Sequence, residues 1–194
     1  YNMLIKAHSI PRKTTGILIR CIILTAILIA AHSATAQRVA LKTNTIDWIT
    51  LSPNLSVEAR LNSRLSLQMG FAANPFNFAI ADLCLKNFRV EPELRYWFNR
   101  PMARHFMALS LTAGAYSLRH ADHHFTGDAV GAGLSYGYAV VLSDHWNMEV
   151  EAGVGIAHLS AYNYYGDVAP ESKNYSRFIP VPIRLGLSFS YIFK

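Results

Sequence analysis

From residue 38 onward the chain alternates apolar and polar side chains with a period of two, the pattern of β-strands, whose successive side chains point to opposite sides of a sheet. The clearest stretch is residues 90–98. Val90, Pro92, Leu94, Tyr96 and Phe98 share one face, and Arg89, Glu91, Glu93 and Arg95 share the other. Seven further segments read the same way: 39–45, 54–61, 64–73, 105–117, 128–142, 146–158 and 183–193. Six or seven of the eight segments set a broad apolar face against a face of small residues interrupted by full charges. In 128–142 the apolar side carries Leu134, Tyr136 and Tyr138, and the opposite side carries Gly131, Gly133, Ser135 and Gly137.

A soluble sandwich or lipocalin-like barrel turns its apolar face to a core and its charges to water. Here the small and charged faces suit the crowded interior of a narrow closed sheet, and the apolar faces suit lipid. The pattern therefore predicts an all-β fold, an eight-stranded antiparallel up-and-down transmembrane β-barrel of the outer-membrane type. Short connections at 62–63, 99–104 and 143–145 alternate with long ones at 74–87, 118–127 and 163–182, as periplasmic turns alternate with surface loops. Both termini are then periplasmic. Pro92 falls inside a strand paired on both sides, where it has no N–H to donate, so a bulge or a missing ladder bond is expected there.

Two groups of residues follow from this inversion. Lys42, Arg60, Arg89, Arg95 and Arg184 are expected inside against Glu58, Glu91, Glu93, Glu149 and Glu151, an even balance of structural ion pairs that closes the lumen. Tyr96, Phe98, Phe106, Tyr138, Trp146, Tyr191 and Phe193 gather near the periplasmic strand ends and are expected as an aromatic girdle at the membrane boundary.

Charge changes the picture less than it first suggests. The 194-residue chain has a formal charge of +6, but four of its 18 basic residues (Lys6, Arg12, Lys13, Arg20) and none of its 12 acidic ones lie in residues 1–36. What remains is nearly balanced, so no cationic groove for nucleic acid is implied. Residues 1–36 read as a secretory signal: a basic start, an apolar run over 21–31, then Ala34-Thr35-Ala36, with cleavage expected after Ala36. The mature domain, 37–194, keeps one cysteine, Cys84, and hence no internal disulfide.

Several stretches carry the marks of a known family: Ala40-Leu41-Lys42-Thr43-Asn44, Pro53-Asn54-Leu55-Ser56-Val57-Glu58, Glu91-Pro92-Glu93-Leu94-Arg95-Tyr96-Trp97, residues 131–138 and Trp146-Asn147-Met148-Glu149. Together they resemble an uncharacterised Bacteroidetes-type family of small outer-membrane proteins, catalogued as a domain of unknown function. The resemblance implies fold and location and transfers no catalytic residue. The association of some members with fimbrial subunits implies a surface or fimbrial protein partner as one candidate.

Candidate chemistry is sparse. His120, Asp122, His123 and His124 offer imidazole and carboxylate ligands, but adjacent histidines without a Cys or Glu match no common metal spacing, and no metal or other cofactor is expected. A barrel-mouth hydrolase acting on lipid or peptide would draw on Ser117, His120 or His123, and Asp122 or Asp128, with no nucleophile-elbow motif to support it. Tyr162, Tyr164, Tyr165, Tyr175 and Phe178 suit stacking on sugar or packing on a protein, and equally suit an outer girdle. The function expected is non-enzymatic: binding, attachment or support of surface assembly through the loops. Its expected partners are outer-membrane lipids and, through the alternating C-terminal strand, the outer-membrane assembly machinery.

Overall fold

The computed structural model describes residues 38–193 apart from 75–78, 81–82, 121 and 167–169. The expected signal segment and its cleavage site lie outside the described residues. Strands β1 (Val39–Asn44), β2 (Asn54–Arg60), β3 (Leu65–Asn74), β5 (Leu83–Trp97), β6 (Arg104–His120), β7 (His123–Val141), β8 (Trp146–Tyr165) and β9 (Tyr175–Phe193) pair in sequence order, every pair antiparallel. The last strand returns to the first, from Val39 opposite Phe193 to Asn44 opposite Ser188, and so closes a ring of eight. A two-residue strand, β4 (Ala79–Ile80), adds to the end of β5.

The ring is staggered. Residues paired side by side run from Ala40 through Glu58, Gln68, Glu93, Ser110, Gly133 and Gly155 to Val181, far along β9 from Ile192, the direct partner of Ala40. A closed sheet requires such an offset, because its strands tilt against the axis.

Two irregularities have proline at their centre. Pro92 keeps its place opposite Met69 in β3. On the β6 side, pairing stops at Val90–Ala113 and resumes at Glu93–Ser110 with no change of register. The missing donor thus costs ladder bonds without producing a bulge. The bulge lies instead in β9, where Pro182 and Ile183 together oppose Val154. One extra residue reverses the alternation. Phe178, Pro180 and Pro182 are exposed above it, Leu185 and Phe189 below it, and Ile183 turns inward.

Strand lengths depart from the sequence reading. The connections expected over 118–127 and 163–182 are largely strand, since β6 and β7 stay paired to His120–His123 and β8 runs to Tyr165. The strand expected from Val90 begins at Leu83. The aromatic and branched residues in these segments sustain pairing whether or not lipid covers them. The β1–β2 connection also holds a short helix, α1 (Thr45–Ile49). Asn44 caps it, its side chain accepting from Ile46 N at 3.1 Å. The same oxygen accepts from Leu187 N at 3.2 Å, so one residue ends the β1–β9 ladder and starts the helix.

The exterior is apolar on every strand of the ring. Leu55, Leu67, Leu94, Leu109, Leu134, Val150 and Leu185 are each exposed by two-fifths or more, and Val154 by 74%. Among the described residues, the fully buried large side chains are instead Trp97, Arg95, Phe106, Glu58, Glu93, Glu149 and Asn147.

Candidate functional site: the sealed interior and the projecting sheet

The interior is built around Arg95 on β5. It is 2% exposed and its guanidinium reaches four carboxylates. Nε donates to Glu93 Oε1 at 2.7 Å, Nη1 to Glu149 Oε2 at 2.8 Å and Glu58 Oε2 at 3.3 Å, and Nη2 to Glu151 Oε2 at 2.8 Å. The planar fork of arginine allows this sharing where the point charge of lysine would not. Its Cζ lies over the Phe106 ring, 4.4 Å from the ring centroid.

Two further cations complete the layer. Lys42 Nζ donates to both Glu149 oxygens at 2.7 Å and pairs with Glu58. Arg184 donates to Glu93 Oε2 at 2.9 Å and Glu91 Oε2 at 2.6 Å. Hydroxyls satisfy remaining lone pairs: Ser135 donates to Glu151 Oε1 at 2.6 Å, and Ser66 donates to Glu58 while accepting from Trp97 Nε1 at 2.7 Å. A carboxylate this deeply buried is tolerable only with such pairing.

Side chains fill the ring towards both of its ends. At the end carrying the short turns and the outer ends of β1 and β9, Trp97 and Phe106 pack at 4.6 Å between centroids. Met102, from the β5–β6 turn, packs with Ala40 and Ile192, and its carbonyl accepts from Asn147 Nδ2. Gly137 makes room for this plug, since a Cβ there would lie 2.3 Å from the Phe106 ring. At the far end α1 leans across the opening, and Arg89 Nη2 donates to Asp47 Oδ1 at 2.7 Å. Asn87 Nδ2 donates to Ser52 Oγ at 3.1 Å beside it. Between these layers, an interior void of ≈ 20 Å³ beside Lys42, Gln68, Glu91 and Arg184 has room for about one water.

Nine of the ten residues expected inside thus meet one another or Asp47. Arg60 does not: its Nε donates to Asn62 O at 2.9 Å at the ring's lower rim. Asp47, absent from the sequence reading, takes a place in the set. The even balance is therefore corrected to Lys42, Arg89, Arg95 and Arg184 against Asp47, Glu58, Glu91, Glu93, Glu149 and Glu151.

The expected girdle needs one correction too. Tyr96, Phe98, Tyr138, Trp146, Tyr191 and Phe193 lie on the outer surface near the short-turn end, with edge contacts such as Trp146–Tyr191 at 5.2 Å and Tyr96–Phe98 at 5.7 Å. Phe106 is fully buried. It has the opposite parity to Met107 and Leu109, and that parity alone sends it inward. Trp97, likewise of inward parity with Arg95, was legible in the same way.

Beyond the end of β1, strands β6–β9 continue as a projecting sheet. His120 opposes His123 there, and His123 Nε2 lies 2.6 Å from Asn163 Oδ1 with its ring stacked on Tyr165 at 4.5 Å. His124 stacks on Tyr164 at 5.0 Å. Adjacent histidines on a strand point to opposite faces. Among the described residues no three His, Cys, Asp or Glu side chains gather as a metal site. Nor does the sheet assemble the hydrolase set: Ser117 Oγ bonds Thr126 Oγ1 at 2.9 Å on one face, while the parity of His120 and His123 places them on the other.

The geometry defines an all-β protein with eight antiparallel strands in a closed, charge-filled ring. The chain belongs to the family described as "Protein of unknown function (DUF3575)", whose model matches residues 21–193. No curated protein and no solved structure matches it. The family expected from the sequence is thereby shown at the level of a domain of unknown function.

Proposed function

We propose that the ring is an outer-membrane β-barrel without catalytic activity, and that it anchors a β-sheet at the cell surface for attachment or partner binding. The observation that carries this reading is the inversion of the fold. Leucines and valines cover the outside of every strand of the ring, while the fully buried large side chains are mostly charged, polar or aromatic. Monomeric soluble proteins rarely expose a contiguous apolar patch beyond a few hundred Å², and here the apolar exterior encircles the molecule. In lipid it is matched, and a closed ladder leaves no unpaired edge in the hydrocarbon.

A sealed interior argues against solute passage, which leaves the projecting part of β6–β9 as the portion able to meet partners. Its aromatic residues, Tyr162, Tyr164, Tyr165 and Tyr175, are of the amphipathic kind enriched in binding surfaces.

Trypsin treatment of intact cells tests this directly. Lys173, beside the projecting sheet, is then cut, whereas Arg64, exposed in the short β2–β3 turn at the opposite end and followed by Leu65, is cut only after the outer membrane is opened. Cleavage at Arg64 in intact cells with Lys173 spared contradicts the orientation. Identical gel mobility of the folded protein with and without boiling contradicts the barrel itself.

A further inference from the structure

Where the projecting sheet leaves the ring, its outer face carries a shallow groove of ≈ 530 Å³ lined by Ala73, Phe88, Ala115, Tyr162, Lys86 and Lys173. Strand pairing places it. Ala73, Phe88, Ala115 and Asp128 oppose one another across four strands, and so do Lys86, Ser117, Thr126 and Tyr162 in the next row. Directly opposed residues share a face, and Phe88, two residues from Val90, lies on the apolar exterior, 53% exposed. The row below is Phe71, Val90, Ala113 and Val130, wholly apolar. Above, Arg119 opposes His124, which opposes Tyr164.

The chemistry therefore changes across the groove within three rows: hydrocarbon, then an apolar hollow walled by two aromatic rings, then cations. Lys86 and Arg119 are exposed, and Lys173 pairs with Asp128, the acidic side chain of this face. An apolar slot under a cationic rim is complementary to an amphiphile with an anionic head.

We propose that this groove seats an acyl chain of a phosphate-bearing membrane lipid, with Lys86, Lys173 and Arg119 gathered over its phosphate. The inference rests on the membrane-barrel reading above and adds to it a defined lipid site. The aromatic rings of Phe88 and Tyr162 bound the chain. The pair with Asp128 holds Lys173 over the groove and partly offsets its charge.

The test uses the full-length mature protein in nanodiscs of phosphatidylcholine with a minor fraction of phosphatidylglycerol. Lipids retained after detergent extraction are counted by native mass spectrometry. The native protein enriches phosphatidylglycerol. Lys86→Gln with Lys173→Gln lowers that enrichment by at least about ten-fold, at about five-fold for each cation near the surface. Asp128→Asn raises it, and Ala115→Trp, which fills the hollow without changing charge, reduces retained lipid of either kind. Arg64→Gln with Arg100→Gln, an equal loss of charge at the opposite end, leaves the enrichment unchanged. Native enrichment in the Lys86→Gln, Lys173→Gln protein overturns the phosphate contact, and undiminished retention in Ala115→Trp overturns the acyl-chain slot. A protein that fails to enter nanodiscs at all overturns the membrane reading itself, and that outcome is separable by its unshifted mobility on boiling.

Discussion

Replacing Arg95 with methionine is the sharpest perturbation of the interior. Methionine fills much of the same volume, so the loss is mainly electrostatic. Glu58 and Glu149 are left with Lys42, and Glu93 and Glu151 with Arg184, whose nitrogen stands 3.9 Å from Glu151. Four carboxylates, each exposed by less than a tenth, then share two cations. Removing one partner of a buried charge set costs about 3–5 kcal/mol, and the lost face-on contact with Phe106 adds about 0.5–2 kcal/mol. A drop of about 4 kcal/mol is nearly three powers of ten in the folding equilibrium. With a urea dependence of about 2 kcal/mol per molar, the unfolding midpoint in lipid vesicles, followed by tryptophan fluorescence, falls by about 2 M. The matched control is Arg60→Met, outside the charge cluster, which stays within about 0.5 kcal/mol of the native protein. If the two variants unfold at the same urea concentration, the carboxylates around Arg95 are hydrated and the sealed interior is wrong.

Other substitutions separate inside from outside. Phe106→Ala removes a fully buried ring and is expected to cost about 3–5 kcal/mol, whereas Phe98→Ala, on the exposed surface, costs far less; equal losses by the same unfolding assay would place both rings in one environment. Gly137→Val, whose side chain would overlap the Phe106 ring, is expected to destabilise through overpacking by about 1–3 kcal/mol, and Phe106→Leu in the same chain should recover part of it. Leu134→Arg, in the exposed apolar row formed by Leu94, Leu109, Leu134 and Val154, costs about 2–4 kcal/mol in a bilayer; a change within error would mean that Leu134 faces water. Planar-bilayer recordings of the native protein show no steady current, and a reproducible single-channel conductance would refute closure by the Arg95 layer.

Much of the ring was legible from alternation alone. Parity along 90–98 placed Glu93, Arg95 and Trp97 on one side and Leu94, Tyr96 and Phe98 on the other, because a strand has only two faces. Grouping Phe106 with the girdle overrode its own parity in favour of its aromatic character. What stayed hidden came from longer-range causes. Asp47 reaches Arg89 only because Asn44 ends β1 and starts a helix across the opening, and no period-two pattern reports a loop that folds back. The reversal of face in β9 depends on an extra residue at Pro182–Ile183, which reads as unbroken alternation when counted from the C-terminal end. The strand extensions through His120 and Tyr165 escaped because histidine and tyrosine there look like loop chemistry, although backbone pairing continues beneath them.

A membrane barrel differs from a soluble ring in which face of its strands meets lipid. Spin labels placed singly at Leu134 and at its neighbour Ser135, with Cys84 replaced by serine and the protein in vesicles, measure this directly. At Leu134 the label is expected to collide freely with dissolved oxygen and rarely with a polar nickel complex, and at Ser135 with neither. Nickel access at Leu134 matching that of an exposed turn such as Asn62 would contradict a membrane-facing exterior.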